Sequence, residues 1–170
     1  QAERRAVGQE IEELTAYGPF RKVEGQEQAG DREDLPMLTF YTNPQSRGRI
    51  ARWMLEETGQ PYETVVLDYY TSMKAPEYLA VNPMGKVPAL VHDGSVVTEV
   101  AAICTYLALT FPEAGLMAED KAAFFRWMFF AAGPLEQAVV NSSFGWLPEG
   151  PQQKRRVGYG DLGDVLTALT

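Results

Sequence analysis

Two β-rich runs flank a single amphipathic helix within residues 38–67, and that spacing constrains the fold more than any other feature of the chain. Leu38, Thr39, Phe40 and Tyr41 read as a short strand stopped by Asn43-Pro44. The helix that follows is expected to turn Ile50, Trp53, Met54 and Leu55 inward, and Gly59 and Pro61 end it. Residues 62–67 form the second run, centred on Val65 and Val66. Strands joined through a helical crossover must lie parallel, because a tight turn only reverses the chain.

The pattern continues in the same register of short elements. Pro76 suits the first position of a short helix over Glu77, Tyr78 and Leu79. Residues 87–91 and 95–98 read as strands joined through Asp93-Gly94, a strong hairpin signal. A helix is expected over 99–109, with Val100, Ile103, Cys104 and Leu107 on one face, closed by Phe111-Pro112. The order β-α-β-α-β-β-α is that of a thioredoxin-like α/β domain, spanning residues 37–111.

A linker at 112–118 leads into an all-helical region, residues 119–170. Between Ala122 and Gly133 the only charged residue is Arg126, among Phe124, Phe125, Trp127, Met128, Phe129 and Phe130. A helix apolar on every side needs cover on several sides. Gly133-Pro134 should kink it before it resumes to about Val140, and one more helix is expected near 161–169. That is too little helix to bury the aromatic surface, so the all-α domain reads as incomplete, with a subunit or further chain as its cover. Residues 1–36, with nine acidic and five basic residues, read as a solvated, mostly disordered extension. Ile11 and Leu14 give it a short amphipathic helix over 9–17, ended by Gly18-Pro19.

Composition narrows the function. Fifteen Lys and Arg against 23 Asp and Glu leave a net charge of -8, the wrong sign for gripping nucleic acid or an anionic membrane. One cysteine excludes an internal disulfide framework, and one histidine excludes His-rich zinc sites, so no metal is expected. No stretch approaches the roughly 20 apolar residues of a membrane span. A reduced, soluble, cytoplasmic protein is the expectation. Cys104 reads as core, His92 as solvent-exposed beside the hairpin turn, and Lys154-Arg155-Arg156 as a solvated helix start.

Three places could carry chemistry. Pro88, within the sequence Asn-Pro-Met-Gly-Lys-Val-Pro-Ala-Leu of residues 82–90, falls where a strand should be and marks an edge or a cis bond. A cis proline there would turn the N–H and C=O of Val87 outward to pair with an extended peptide; otherwise Pro88 only shapes the strand entry. Thr98, Glu99 and Val100 open a helix whose backbone N–H groups favour a carboxylate, while Glu99 could take the matching ammonium. Alone, Glu99 is a helix-end charge. The turn after the first strand, residues 42–49, holds Ser46, whose hydroxyl reads as an ordinary N-cap and, without excluding that role, could hydrogen-bond a thiolate and with the helix dipole lower its pKa from about 8.5 towards neutrality.

As a set, these motifs resemble the cytosolic glutathione S-transferase family in its bacterial form, over residues 37–140 and more weakly to 170. The resemblance implies that Val87 pairs with the cysteinyl backbone of glutathione beside a cis Pro88, and that Glu99 and the Val100 N–H hold the γ-glutamyl end. Lys86 is implied for the glycyl carboxylate, and Phe124, Trp127 and Met128 for the walls of an apolar pocket. It further implies glutathione as co-substrate, a small electrophile as partner, a role in detoxification and a homodimer.

The sequence also departs from the family. Most members carry a hydroxyl residue after the acidic one; Val100 loses that bond, at a cost of about 0.5–1.5 kcal/mol, and keeps only its N–H. The thiol partner is Ser46 if a gap is allowed, with Thr42, Asn43, Gln45 and Tyr41 as rivals. Members usually run further, through a buried helix that nucleates the second domain, so the chain reads as C-terminally shortened. The functions that follow are a glutathione transferase, a glutathione-dependent peroxidase or disulfide reductase on the same site, and a non-catalytic interaction module.

Overall fold

A computed structural model describes residues 38–170; the extension and its helix over 9–17 lie outside the described residues. Strand β1 (Leu38–Thr42) is central in a four-stranded sheet of order β2-β1-β3-β4. It runs parallel to β2 (Tyr62–Val66), with Leu38 opposite Tyr62 and Thr42 opposite Val66, as the crossover requires. On its other side it is antiparallel to β3 (Ala89–His92), which forms a hairpin with β4 (Ser95–Thr98). Asp93 and Gly94 both take positive φ, 48° and 78°, as a tight hairpin turn demands. Strand β3 starts two residues later than the sequence suggests because Pro88 has no N–H for the ladder.

Helix α1 (Gly48–Thr58) buries Gly48, Ala51, Leu55 and Thr58. This corrects the expected inner face in part: Leu55 is buried as expected, but Ile50 is 49% and Trp53 67% exposed. Small residues one turn apart give the closer approach to the sheet, and Trp53 instead donates its indole N–H to Glu57 at 2.8 Å on the solvent side. A 3-10 turn (Ser72–Lys74) and α2 (Pro76–Leu79) follow, then α3 (Val100–Thr110). Glu99 precedes α3 and is not part of it.

The chain separates into two compact units, the division falling inside α3 after Ile103. In the first, Leu38, Phe40, Leu55, Leu90 and Ile103 are fully buried. A second cluster of Leu67, Met73, Tyr78 and Ala89 packs with Tyr41, Val65 and Val87. His92 is buried, contrary to its expected exposure. Its register opposite Leu38, two residues from Leu90, puts it on the same sheet face as those core side chains. The mixed sheet with its helices is the thioredoxin-like arrangement that the element order implied.

The second unit continues α3, where Cys104 and Leu107 are buried. Burial pushes the Cys104 thiol up to about 11, consistent with a core side chain. Helix α4 (Lys121–Phe130) passes into a π-helical turn (Ala131–Leu135) and on to α5 (Glu136–Ser143). The Gly133-Pro134 break is thus absorbed as a π turn within a continuing helix, Pro134 lacking the N–H of an ordinary turn. Helix α6 (Gly150–Arg156) is a further element that the sequence pattern does not separate, and Lys154, Arg155 and Arg156 occupy its last turn instead of a helix start. Pro151 suits the entry, and cations suit the C-terminal end of the helix dipole. Asp161 caps α7 (Leu162–Leu169) in a reciprocal box with Asp164. Ala138, Tyr159 and Val165 form a buried cluster in this unit. No residue of α4 is buried. Among the described residues no helix is long and apolar enough to cross a membrane.

Candidate functional site

Sheet register brings three loops to one end of the first unit. Tyr41 lies opposite Ala89, and Ala89 opposite Thr98. The turn after β1, the entry to β3 and the exit from β4 therefore open on the same side, carrying Ser46, Val87-Pro88 and Glu99-Val100 respectively.

The Val87-Pro88 bond is cis, one of the two alternatives its sequence left open. The loop before it is densely tied. Asn82 accepts the Met84 N–H on Oδ1 at 3.1 Å and donates Nδ2 to the Lys86 carbonyl at 2.8 Å. The Tyr78 hydroxyl donates to that same carbonyl at 2.5 Å. Lys74 Nζ donates to the carbonyls of Gly85 and Met84 at 2.7 and 3.2 Å. Gly85 has φ 56°, and a Cβ there would stand 2.8 Å from both the Met73 carbonyl oxygen and Lys74 Nζ, so only glycine fits the turn. Lys86 itself is exposed, and Val87 half-buried.

Glu99 has φ 68°, the left-handed region that costs a residue with a Cβ roughly 1–2 kcal/mol. Its carbonyl accepts the first helical bond of α3, from Ile103 at 2.9 Å. Helix geometry leaves the amides of that first turn, Val100 among them, without intrahelical acceptors. An exposed carboxylate thus stands beside a cluster of backbone donors.

The turn after β1 is closed by its own side chains. Asn43 donates Nδ2 to the Leu67 carbonyl at 2.8 Å and accepts the Gln45 N–H at 2.9 Å. Ser46 Oγ donates to the Asn43 carbonyl at 2.7 Å and accepts the Gly48 N–H at 2.9 Å. Ser46 is thus not the N-cap, which is Arg47; from one residue further out its hydroxyl takes the amide of the first residue of α1 and donates to a backbone oxygen. A Cβ on Gly48 would collide with Thr42 Oγ1 and stand 2.9 Å from Ser46 Oγ. Of the rivals, Thr42 is buried; Tyr41 packs its ring 5.4 Å from that of Tyr78, and burial pushes its phenol up, away from ionisation. Gln45 is exposed. A cleft of about 410 Å³ opens between α1 and β2, lined by Thr42, Arg49, Trp53 and Val66 among others. Because β2 and β3 flank β1 on opposite sides, it lies across the strand from the Val87 loop.

In the second unit Phe124 and Met128 are half-buried and Trp127 exposed, with the Arg126 guanidinium 4.7 Å from the Trp127 ring centre. Sequence reasoning missed Tyr78 and Lys74 as supports of the Val87 loop. Asn82-Pro83 did carry a turn signal, since an Asn side chain folds back on the backbone two residues on.

Residues 47–110 match a family model described as glutathione S-transferase, N-terminal domain. Glutathione S-transferase GST-4.5 of Xanthomonas campestris pv. campestris is 37% identical over 102 residues, covering 58% of this chain and 50% of that protein. Glutathione S-transferase 3 of Schizosaccharomyces pombe is 32% identical, covering 58% and 43%. The crystal structure of a glutathione transferase from Methylococcus capsulatus superposes with a TM-score of 0.60 at 30% identity, over 78% of this chain and 67% of that one. The chain belongs to the glutathione S-transferase family. A transferase from Phanerochaete chrysosporium, solved in complex with oxidized glutathione, gives a TM-score of 0.62 at 27% identity. A Sulfitobacter glutathione transferase homologue, solved with bound glutathione, gives 0.58 at 28%. The chain spans about half the length of the curated Xanthomonas transferase. The family match includes Lys86, Val87, Pro88, Glu99 and Val100 and begins one residue after Ser46.

Proposed function

We propose that this chain binds glutathione at the shared end of its sheet and activates the thiol for attack on a small, mostly apolar electrophile. The observation that carries the reading is Glu99, held in a left-handed conformation directly before α3. Strain of this kind persists where the surroundings enforce it and clusters at ligand clamps. The Glu99 carboxylate would take the ammonium of the γ-glutamyl group, and the first amides of α3 its carboxylate. The Val87 backbone would pair with the cysteinyl residue, and exposed Lys86 would serve the glycyl carboxylate as a point charge.

In the reaction the thiol loses its proton to solvent, the sulfur bonds to the electrophilic carbon, and the leaving group departs with its electron pair. Ser46 would stabilise the thiolate by turning its O–H from the Asn43 carbonyl to the sulfur. That existing bond favours, as a second reading, a non-catalytic glutathione-binding module. A cytoplasmic homodimer with a part in detoxification completes the reading, the dimer supported by the unburied aromatics of α4 and the reducing compartment by the single cysteine.

Calorimetric titration with reduced glutathione tests the site. Glu99→Gly should fold at least as well as the parent, since glycine relieves the left-handed strain, yet bind glutathione at least tenfold more weakly, about the 1.5–3 kcal/mol of a charged hydrogen bond. Equal binding by the variant would overturn the assignment. Conjugation of an activated aryl halide separates the two readings. In an enzyme, Ser46→Ala should slow the reaction most near pH 6.5, where only about 1% of an unassisted thiol is ionised, and least above pH 9. Absent conjugation with intact binding selects the module.

A further inference from the structure

We propose that Tyr78 and Asn82 are positioning residues that aim the Val87 N–H at the bound tripeptide, an inference that rests on the glutathione reading of the site. Neither side chain would touch the ligand. Both act on one atom, the Lys86 carbonyl oxygen, which accepts from the Tyr78 hydroxyl at 2.5 Å and from Asn82 Nδ2 at 2.8 Å. That oxygen belongs to the Lys86–Val87 peptide unit. A trans peptide is planar, with its C=O and N–H pointing in opposite directions. Fixing the carbonyl towards Tyr78 and Asn82 therefore fixes the Val87 N–H away from them, on the side open to an incoming extended backbone.

The two donors are themselves immobilised. Tyr78 is buried in the cluster with Leu67, Met73 and Ala89 and packs against the Tyr41 ring. Its phenol is pushed up to about 12, chiefly by burial, so it stays a donor throughout the working pH range. Asn82 has both side-chain ends engaged, and its backbone N–H donates to the Tyr78 carbonyl at 2.8 Å, linking the two residues directly. A donor held in its bound orientation before the ligand arrives loses less freedom on binding, and affinity rises accordingly. With one anchor gone the peptide plane can rock, and the ligand must order it.

Two variants remove one donor each with little change of shape. Tyr78→Phe deletes the hydroxyl and keeps the ring. Asn82→Asp keeps the acceptor for the Met84 N–H and loses the donor to Lys86. Titration of the 170-residue chain and each variant with reduced glutathione should show the Kd raised about three- to tenfold at unchanged stoichiometry, the scale of one hydrogen bond. Where turnover is measurable, KM for glutathione should rise by the same factor while kcat at saturation holds within about twofold. A merely structural role would lower the binding-competent fraction, and so the stoichiometry, at constant Kd; that result overturns the proposal. So does binding by both variants equal to that of the parent, which leaves the glutathione site itself standing. Failure of the parent chain to bind glutathione removes the site reading and this inference together.

Discussion

The aromatic side chains at the sheet of the first unit and those along residues 129–146 of the second are covered to different degrees. In the first, Phe40 is fully buried between neighbouring core side chains at the centre of the sheet, and Tyr41 and Tyr78 pack ring to ring. In the second, Phe129 is 66% exposed and the stacked pair of Phe144 and Trp146, 4.7 Å apart, is exposed on both members. Both stretches of sequence are rich in apolar residues, so apolar content alone does not decide what is inside. A strand with a fixed register gives each side chain one of two faces, and half of β1 has no choice but the core. A helix apolar all round has no such assignment until something packs on it.

That contrast can be broken or sharpened by experiment, the largest effect first. Phe40→Ala should cost about 3–5 kcal/mol in urea unfolding, through lost burial and the cavity left behind. The same truncation at Phe129 should stay within about 0.5 kcal/mol in the isolated chain; a large loss there would mean that the α4 face is covered in solution. Next comes Tyr159→Phe. It removes the Asn141–Tyr159 bond at 3.1 Å beside the small cluster of the second unit, and about 0.5–1.5 kcal/mol is expected. The smallest effect is electrostatic. Lys154 and the Asp164 N–H hold the Asp161 carboxyl below its ordinary value. A carboxylate with a depressed folded-state pKa adds stability above its unfolded value and loses it as the pH falls through the folded one. Melting temperature should therefore decline slightly below about pH 4, and less so in Asp161→Asn.

The fold of the first unit was legible because its signals are local and periodic. Residues 38–67 dictate a parallel pair, Asp93-Gly94 a hairpin, and Pro76 a helix start, and all three are where the pattern placed them. The errors share a cause. Hydrophobic spacing points Ile50 and Trp53 inward, yet the helix seats itself on the small residues Gly48 and Ala51. The place of His92 beside the hairpin turn points it outward, yet strand register takes it in. Packing distance and register depend on partners distant in sequence, which no window of residues contains. At the site, Val87-Pro88 and Glu99 announced themselves by residue type. The Tyr78 brace did not, because nothing about a tyrosine in a short helix reveals which carbonyl it will meet eight residues later.

Gly48 has a consequence of another kind. Any side chain there would drive into Thr42 Oγ1 and press on Ser46 Oγ, so both hydroxyls would have to give way. In a library randomised over this turn, selection for folded protein alone should return glycine at position 48 before catalysis is ever screened. Tolerance at that residue would report on the crowding around the Thr42 and Ser46 side chains, and an inactive variant there would say nothing about whether Ser46 meets a thiol.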